Sequence, residues 1–186
     1  MPLSPAAPRK HAHTRNIEMN AYVRDDGLWD IEGRLTDVKP YSFPNDDRGQ
    51  IEAGEPLHDM IVRLTIDRQF EIKDIEVAMD GTPYRICSEI APGFEALKGH
   101  RIGPGWRRKL KEINGGVKGC THVVELLGVM ATVAYQSAYS SERITGKVLS
   151  DSPINTAKFV INTCHAHRSD GPVTKKEFPE LYTGKD

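Results

Sequence analysis

Between Ile17 and Met79 apolar side chains recur at every second position in four separate runs, and that period of two commits this stretch to half-buried β-strands. Ile17, Met19, Ala21 and Val23 alternate with Glu18, Asn20, Tyr22 and Arg24. After Asp25-Asp26-Gly27, a turn sequence, Trp29, Ile31 and Leu35 share one side while Asp30, Glu32 and Arg34 share the other. Gly33 falls on the apolar side, where it permits a bulge or a close approach. Met60, Val62, Leu64 and Ile66 open a second hairpin, Asp67-Arg68-Gln69 turns it, and Phe70, Ile72, Ile75, Val77 and Met79 close it. The change of phase at Lys73-Asp74 implies a bulge.

Asp80-Gly81-Thr82-Pro83 ends the strand run, and helical patterns follow at about 87–98, 104–113, 120–139 and 157–168. Two consecutive hairpins followed by helices predict an α+β fold, an antiparallel sheet with the helices packed on one face. Residues 1–13, with Pro2, Pro5 and Pro8, read as an arm, 14–168 as a single α+β domain, and 169–186 as an extended C-terminal tail. The Pro-, Gly- and Asp-rich stretch 40–57 reads as a long loop, of a length that is often functional, for instance as a lid.

Composition removes several classes of function. With 186 residues the chain is long enough for a real core, and a net charge of -1 gives no basic footprint for nucleic acid. Cys87, Cys120 and Cys164 are odd in number and lack CxxC spacing, which argues against a disulfide framework or thiolate zinc ribbon and fits a reducing, cytoplasmic setting. No export signal or membrane-spanning stretch is visible. The chain has no GxxxxGK[ST], no GxGxxG after a strand, no GxSxG and no HExxH.

The candidate chemistry centres on Gly119-Cys120-Thr121-His122-Val123-Val124-Glu125-Leu126, the start of a helix that is apolar nearly all round and so expected to be buried on several sides. His122, Glu125, Thr132 and Gln136 form a rough polar stripe on it, flanked by Thr121 and Tyr135. Such groups either bond one another or face a cavity. Three glycines precede the helix, whose first N–H groups are free for an anion, and Cys120 there is either a reactive thiol or a small packing residue. Thr121 either caps the helix or contacts substrate.

A second candidate is Pro56-Leu57-His58-Asp59-Met60, where strand geometry lets only one of His58 and Asp59 face a given cavity unless the backbone bulges, His58 being preferred. A third is the polar face of the first hairpin. There Tyr22, Arg24, Asp30, Glu32 and Arg34 make either an exposed ion-pair surface or a pocket with Asp30 and Glu32 as acid and base. His11-Ala12-His13 and Cys164-His165-Ala166-His167 have metal-ligand composition without a metal-site spacing.

Asp26 to Gly33, Pro56 to Met60, Gly119 through Leu126, and Cys164 through Asp170-Gly171 to Phe178-Pro179, with His13-Thr14-Arg15 at the opening, together resemble the bacterial domain-of-unknown-function family 2889. That resemblance implies a bacterial single-domain protein and a small aromatic substrate, not a mechanism. The leading expectation is a metal-independent, cofactor-free acid/base lyase that breaks a C–C or C–O bond in a hydroxylated aromatic metabolite, for example by retro-aldol loss of formaldehyde. His122 or His58 would be the base, Glu125 or Asp59 its orienting partner, and Tyr22, Tyr135 or Arg24 the holder of the phenol. One alternative is a metal enzyme liganded by His58, His122 and Glu125, another a non-catalytic binding or assembly module. The partners expected are a small-molecule substrate and a second copy of the chain in a homodimer, with neither nucleic acid nor membrane.

Overall fold

The computed structural model describes residues 3–145 and 160–185. They divide into two compact units, 1–137 and 138–186.

The first unit is built on a four-stranded antiparallel sheet, β1 (Thr14–Val23), β2 (Trp29–Val38), β5 (Pro56–Ile66) and β6 (Ile72–Gly81), in the spatial order β1-β2-β5-β6. The β1–β2 turn forms because Gly27 takes a left-handed φ of 84°. Gly27 N–H then donates to Arg24 O and Arg24 N–H to Leu28 O. In the second hairpin Thr65 pairs with Asp74 but Ile66 with Ile72, so Lys73 is the extra residue behind the phase change read from the sequence.

Residues 40–57 are more ordered than a bare loop. They carry a small hairpin, β3 (Phe43–Asn45) with β4 (Gly49–Ile51). Asn45 Oδ1 accepts from the backbone of Asp47 and Arg48, Gly49 takes a φ of 77°, Arg48 pairs with Glu55, and Ile51 is fully buried. A polar, Gly-rich sequence hides such a hairpin because its large apolar residues, Phe43 and Ile51, are too few to show a period.

The predicted helix at 87–98 is a run of 3₁₀ turns, Arg85–Leu97, since Pro92 inside it cannot donate to an α-ladder. α1 (Trp106–Asn114) follows, then α2 (Thr121–Thr145), which begins in the first unit and ends in the second. Val123, Leu126, Leu127, Met130 and Ala134 of α2 are buried, and Trp106 Nε1 donates to Leu127 O at 3.1 Å, tying α1 to α2.

The helix packs on the apolar face of the sheet, where Ile31, Leu35, Met60, Val62 and Leu64 lie. Gly33 is the contact point: a Cβ there would meet Leu126 Cδ1 at 3.2 Å and Met19 Sδ at 3.0 Å, so its lack of a side chain lets the helix come down on β2. The opposite face carries ion pairs and open polar groups. The fold is thus α+β, with the helices of the first unit on one side of its antiparallel sheet.

In the second unit, α3 (Pro172–Glu177) and a 3₁₀ turn (Pro179–Leu181) occupy the segment expected to be extended. Pro172 at the first helical position suits a helix start, and Thr174 is buried with its hydroxyl donating to Arg168 O at 2.8 Å. Of the helix expected at 157–168, residues 157–159 lie outside the described residues, Val160 is helical, and 161–167 are turns and bends.

Candidate functional site

Apolar alternation on β2 runs Trp29, Ile31, Gly33, Leu35, and its next member is Asp37. Strand pairing places Arg15 of β1 opposite Asp37, and Asp37 opposite His58 of β5. The three therefore form one row across the core face, next to the apolar row Ile17–Leu35–Met60. The register of β5 against β2 shifts just beyond this row: Val38 pairs with Pro56, leaving Leu57 as the extra residue beside His58.

Asp37 is 1% exposed, and its two oxygens accept four hydrogen bonds. Arg15 forks onto it, Nε to Oδ1 and Nη2 to Oδ2, both at 2.8 Å. His13 Nε2 donates to Oδ1 at 2.9 Å and His58 Nδ1 to Oδ2 at 3.0 Å. The remaining Arg15 nitrogen, Nη1, donates to Glu125 Oε2 at 2.6 Å, linking the sheet to α2.

From the first turn of α2, His122 lies over His58 with ring centroids 3.8 Å apart and planes inclined by 33°. Its Nε2 stands 3.6 Å from Asp37 Oδ2, and its Nδ1 is 3.7 Å from Cys120 Sγ, within sulfur hydrogen-bond reach. Helix α2 begins here because Val124 N–H donates to Cys120 O, with Gly119 just before it. A side chain at Gly119 would collide with the carbonyl of Asn114.

Burial alone would raise the Asp37 carboxyl, but the hydrogen bonds and charge of Arg15, with His13 and His58, outweigh it and hold the group at about 2. Its ionisation fixes the His58 tautomer. A carboxylate accepts only, so His58 carries its proton on Nδ1 and, when neutral, leaves Nε2 as a base. Both histidines titrate below their ordinary value. Burial is the first cause in each, followed by His122 for His58 and by Arg15 for His122, while Asp37 opposes the shift in both. Stacked imidazoles with an arginine near them resist taking two protons, so the pair is neutral or singly charged near pH 7.

One ligand atom from each of Asp37, His58 and His122 lies within 4.8 Å of the others, a grouping that could hold a cation. Against that, the four donors on Asp37 already use its in-plane acceptor directions.

A family model described as "Protein of unknown function (DUF2889)" matches residues 13–136. The chain belongs to this family. The span matched in DUF2889 opens on His13 and includes Arg15, Asp37, His58, Cys120, His122 and Glu125, so the whole cluster falls inside it. The Cys164 to Pro179 segment, part of the resemblance read from the sequence, falls outside. No curated protein and no solved structure matches.

Of the residues singled out by sequence, the DUF2889 core brings together His58, His122, Cys120 and, through Arg15, Glu125. Asp59 points to the opposite face, where Arg34 grips it at 2.8 and 2.6 Å, so it cannot orient His58. Asp37 has that place, and Glu125 is bonded to Arg15 rather than to His122. Tyr22, Arg24, Asp30 and Glu32 lie on the outer face. Arg24 pairs with Asp26 and Asp30, Asp30 accepts from Thr65, Glu32 pairs with Arg63, and Tyr22 is half exposed.

Tyr135 lies thirteen residues beyond His122, roughly 20 Å along the helix. Its hydroxyl donates to Ile102 O, and its ring packs on Phe70. Thr121 is exposed, and Cys120 rather than Thr121 stands at the cap position. Nor is the polar stripe interior: Glu125, Thr132 and Gln136 are exposed, which makes this part of α2 a one-sided helix rather than one buried on several sides. His13 docks the end of the arm on Asp37. In the second unit Cys164 Sγ lies 3.4 Å from His167 Nδ1, and His165 contacts Arg168, a cation that disfavours a metal there.

Reasoning from sequence missed Asp37 and Arg15. The signal for both is parity: each is a charged residue on the apolar phase of its strand.

Proposed function

We propose that the chain is a metal-independent acid/base enzyme, a lyase cleaving a C–C or C–O bond in a hydroxylated aromatic metabolite, with His58 and His122 as its proton-transfer pair. The observation that carries the reading is the Asp37 Oδ2 to His58 Nδ1 hydrogen bond at 3.0 Å beneath a second imidazole stacked at 3.8 Å. An ionised aspartate on one nitrogen fixes the tautomer and supports positive charge developing on the other.

In a retro-aldol step, His58 Nε2 takes the proton of the substrate hydroxyl. The O–H electron pair becomes the carbonyl of the leaving aldehyde, the C–C bond breaks, and its electrons pass to the aromatic fragment. The proton removed from oxygen equals the one the carbanion needs, so the pair ends as it began. His122 stabilises the developing anion or returns that proton. Arg15 and Glu125 position Asp37 without facing substrate themselves. Three cysteines, an odd number without CxxC spacing, suit the cytoplasmic setting proposed, and a homodimer is the assembly proposed on general grounds.

The test is a thermal-shift screen of phenolic alcohols followed by aldehyde-release assays on the hits. His58→Ala and His122→Ala should each lower kcat/KM by about 10²–10⁴-fold with the fold intact. Wild-type turnover in His58→Ala would overturn the reading.

The clustering of Asp37, His58 and His122 donor atoms within 4.8 Å favours a second reading, a metal enzyme in which Asp37 rather than Glu125 completes the donor set. Stoichiometric iron or zinc in the purified protein, with activity abolished by chelator and restored by that metal, would establish it in place of the first.

A further inference from the structure

A groove of about 460 Å³ opens beside Cys120, lined by the 3₁₀ segment and the turn that precedes α2. Ile86, Ile90 and Val117 form its apolar walls, and Ile86 and Val117 are 68% and 100% exposed, an unusual outlay of apolar surface within one small unit. Among the described residues Glu89 is the one charged side chain that lines it. Cys120 is one of its lining residues, and its Sγ lies 3.7 Å from His122 Nδ1, so the groove adjoins the histidine pair through that side chain. The volume lies within the range of small-molecule sites.

We infer that this groove is the binding site for the apolar part of the substrate, and that it selects an uncharged ring bearing a hydroxyl over a carboxylated one. The inference rests on the acid/base reading of His58 and His122 and adds to it the class of molecule held beside them. Apolar walls supply the affinity by removing ring surface from water. Glu89 accepts a hydrogen bond from a neutral hydroxyl but repels a carboxylate, and none of the described lining residues is a cation that would offset that repulsion. Cys120 is the contact between ring and catalytic pair, being half-buried and free.

The experiment follows thiol alkylation in the intact chain. Iodoacetamide labelling of Cys120 and Cys87, which both line the groove, is measured by mass spectrometry with Cys164 as internal reference. The two probes are 4-methylphenol, neutral at pH 7, and 4-hydroxybenzoate. The neutral phenol should slow labelling of Cys120 and Cys87 about fivefold once it exceeds its dissociation constant about fourfold, leaving Cys164 unchanged. The carboxylated probe should need a far higher concentration, Glu89→Gln should narrow that gap, and Val117→Arg should abolish protection.

Equal labelling of Cys120 with and without 4-methylphenol up to its solubility limit would overturn the proposal, as would equal protection by both probes. Because labelling needs no turnover, the two readings separate. Protection that persists in His58→Ala while turnover is unaffected leaves the groove standing and sinks the acid/base pair. Lost turnover in His58→Ala without any protection in the wild type does the reverse.

Discussion

Asp37 is the residue on which the site depends, because a carboxylate 1% exposed must be matched from all sides, and the groups that match it, Arg15, His13 and His58, include the proposed base. Asp37→Asn keeps the shape but offers an amide N–H where two donors now point. His58 then loses its fixed tautomer, and kcat should fall by orders of magnitude while substrate binding in the groove changes little. A kcat-against-KM comparison checks this, and an effect confined to KM would assign Asp37 to binding instead. Arg15 is a positioning residue with its own signature. Arg15→Ala leaves a buried anion short of its fork and should cost about 1–3 kcal/mol in urea unfolding. Arg15→Lys should recover only part of this, since an ammonium cannot span both Asp37 oxygens and Glu125. Full recovery in Arg15→Lys would show that charge alone is needed.

At the scale of elements, the four strands of the main sheet were legible because period-two burial is a local signal, and so were α1 and α2, whereas β3 and β4 were not. What joins them was not. The row Arg15–Asp37–His58 exists only once β1, β2 and β5 are in register, and register is a relation between distant segments. The same gap explains why Asp59 looked equivalent to His58: adjacent residues on a strand differ only in the face they present, and the core face is known only when β2 is beside them. Helix α2 misled for a related reason, since valines and alanines between its polar residues disguise which side meets solvent. Gly33 was readable as a place of close approach, and it sets a further expectation. Gly33→Val, which would press on Leu126 and Met19, should destabilise by about 1–3 kcal/mol, with Gly33→Ala closer to wild type because Met19 Sδ can move aside. Equal effects of the two would place the tight contact elsewhere.

For the molecule as a whole, the cluster makes stability a function of pH, and the sign is the same in both of its windows. Asp37 is held at about 2 against an ordinary 3.8, so between these values the unfolded chain binds a proton that the folded one refuses. Its contribution is complete above pH 4 and is lost as pH falls toward 2, about 2 kcal/mol in all. His58 and His122 are depressed below 6.5 when folded, so again the unfolded chain binds more protons, and stability declines as pH drops beneath 6.5. Unfolding free energy from urea titrations should therefore fall in two stages. Asp37→Asn distinguishes this from a general acid effect, because Asp37 opposes the lowering of His58. Removing its charge should shrink the lower stage, to which Asp67 also contributes, and enlarge the upper one, since His58 then resists protonation further. A lower stage that survives Asp37→Asn undiminished would mean that other carboxylates, not this one, carry the acid sensitivity of the fold.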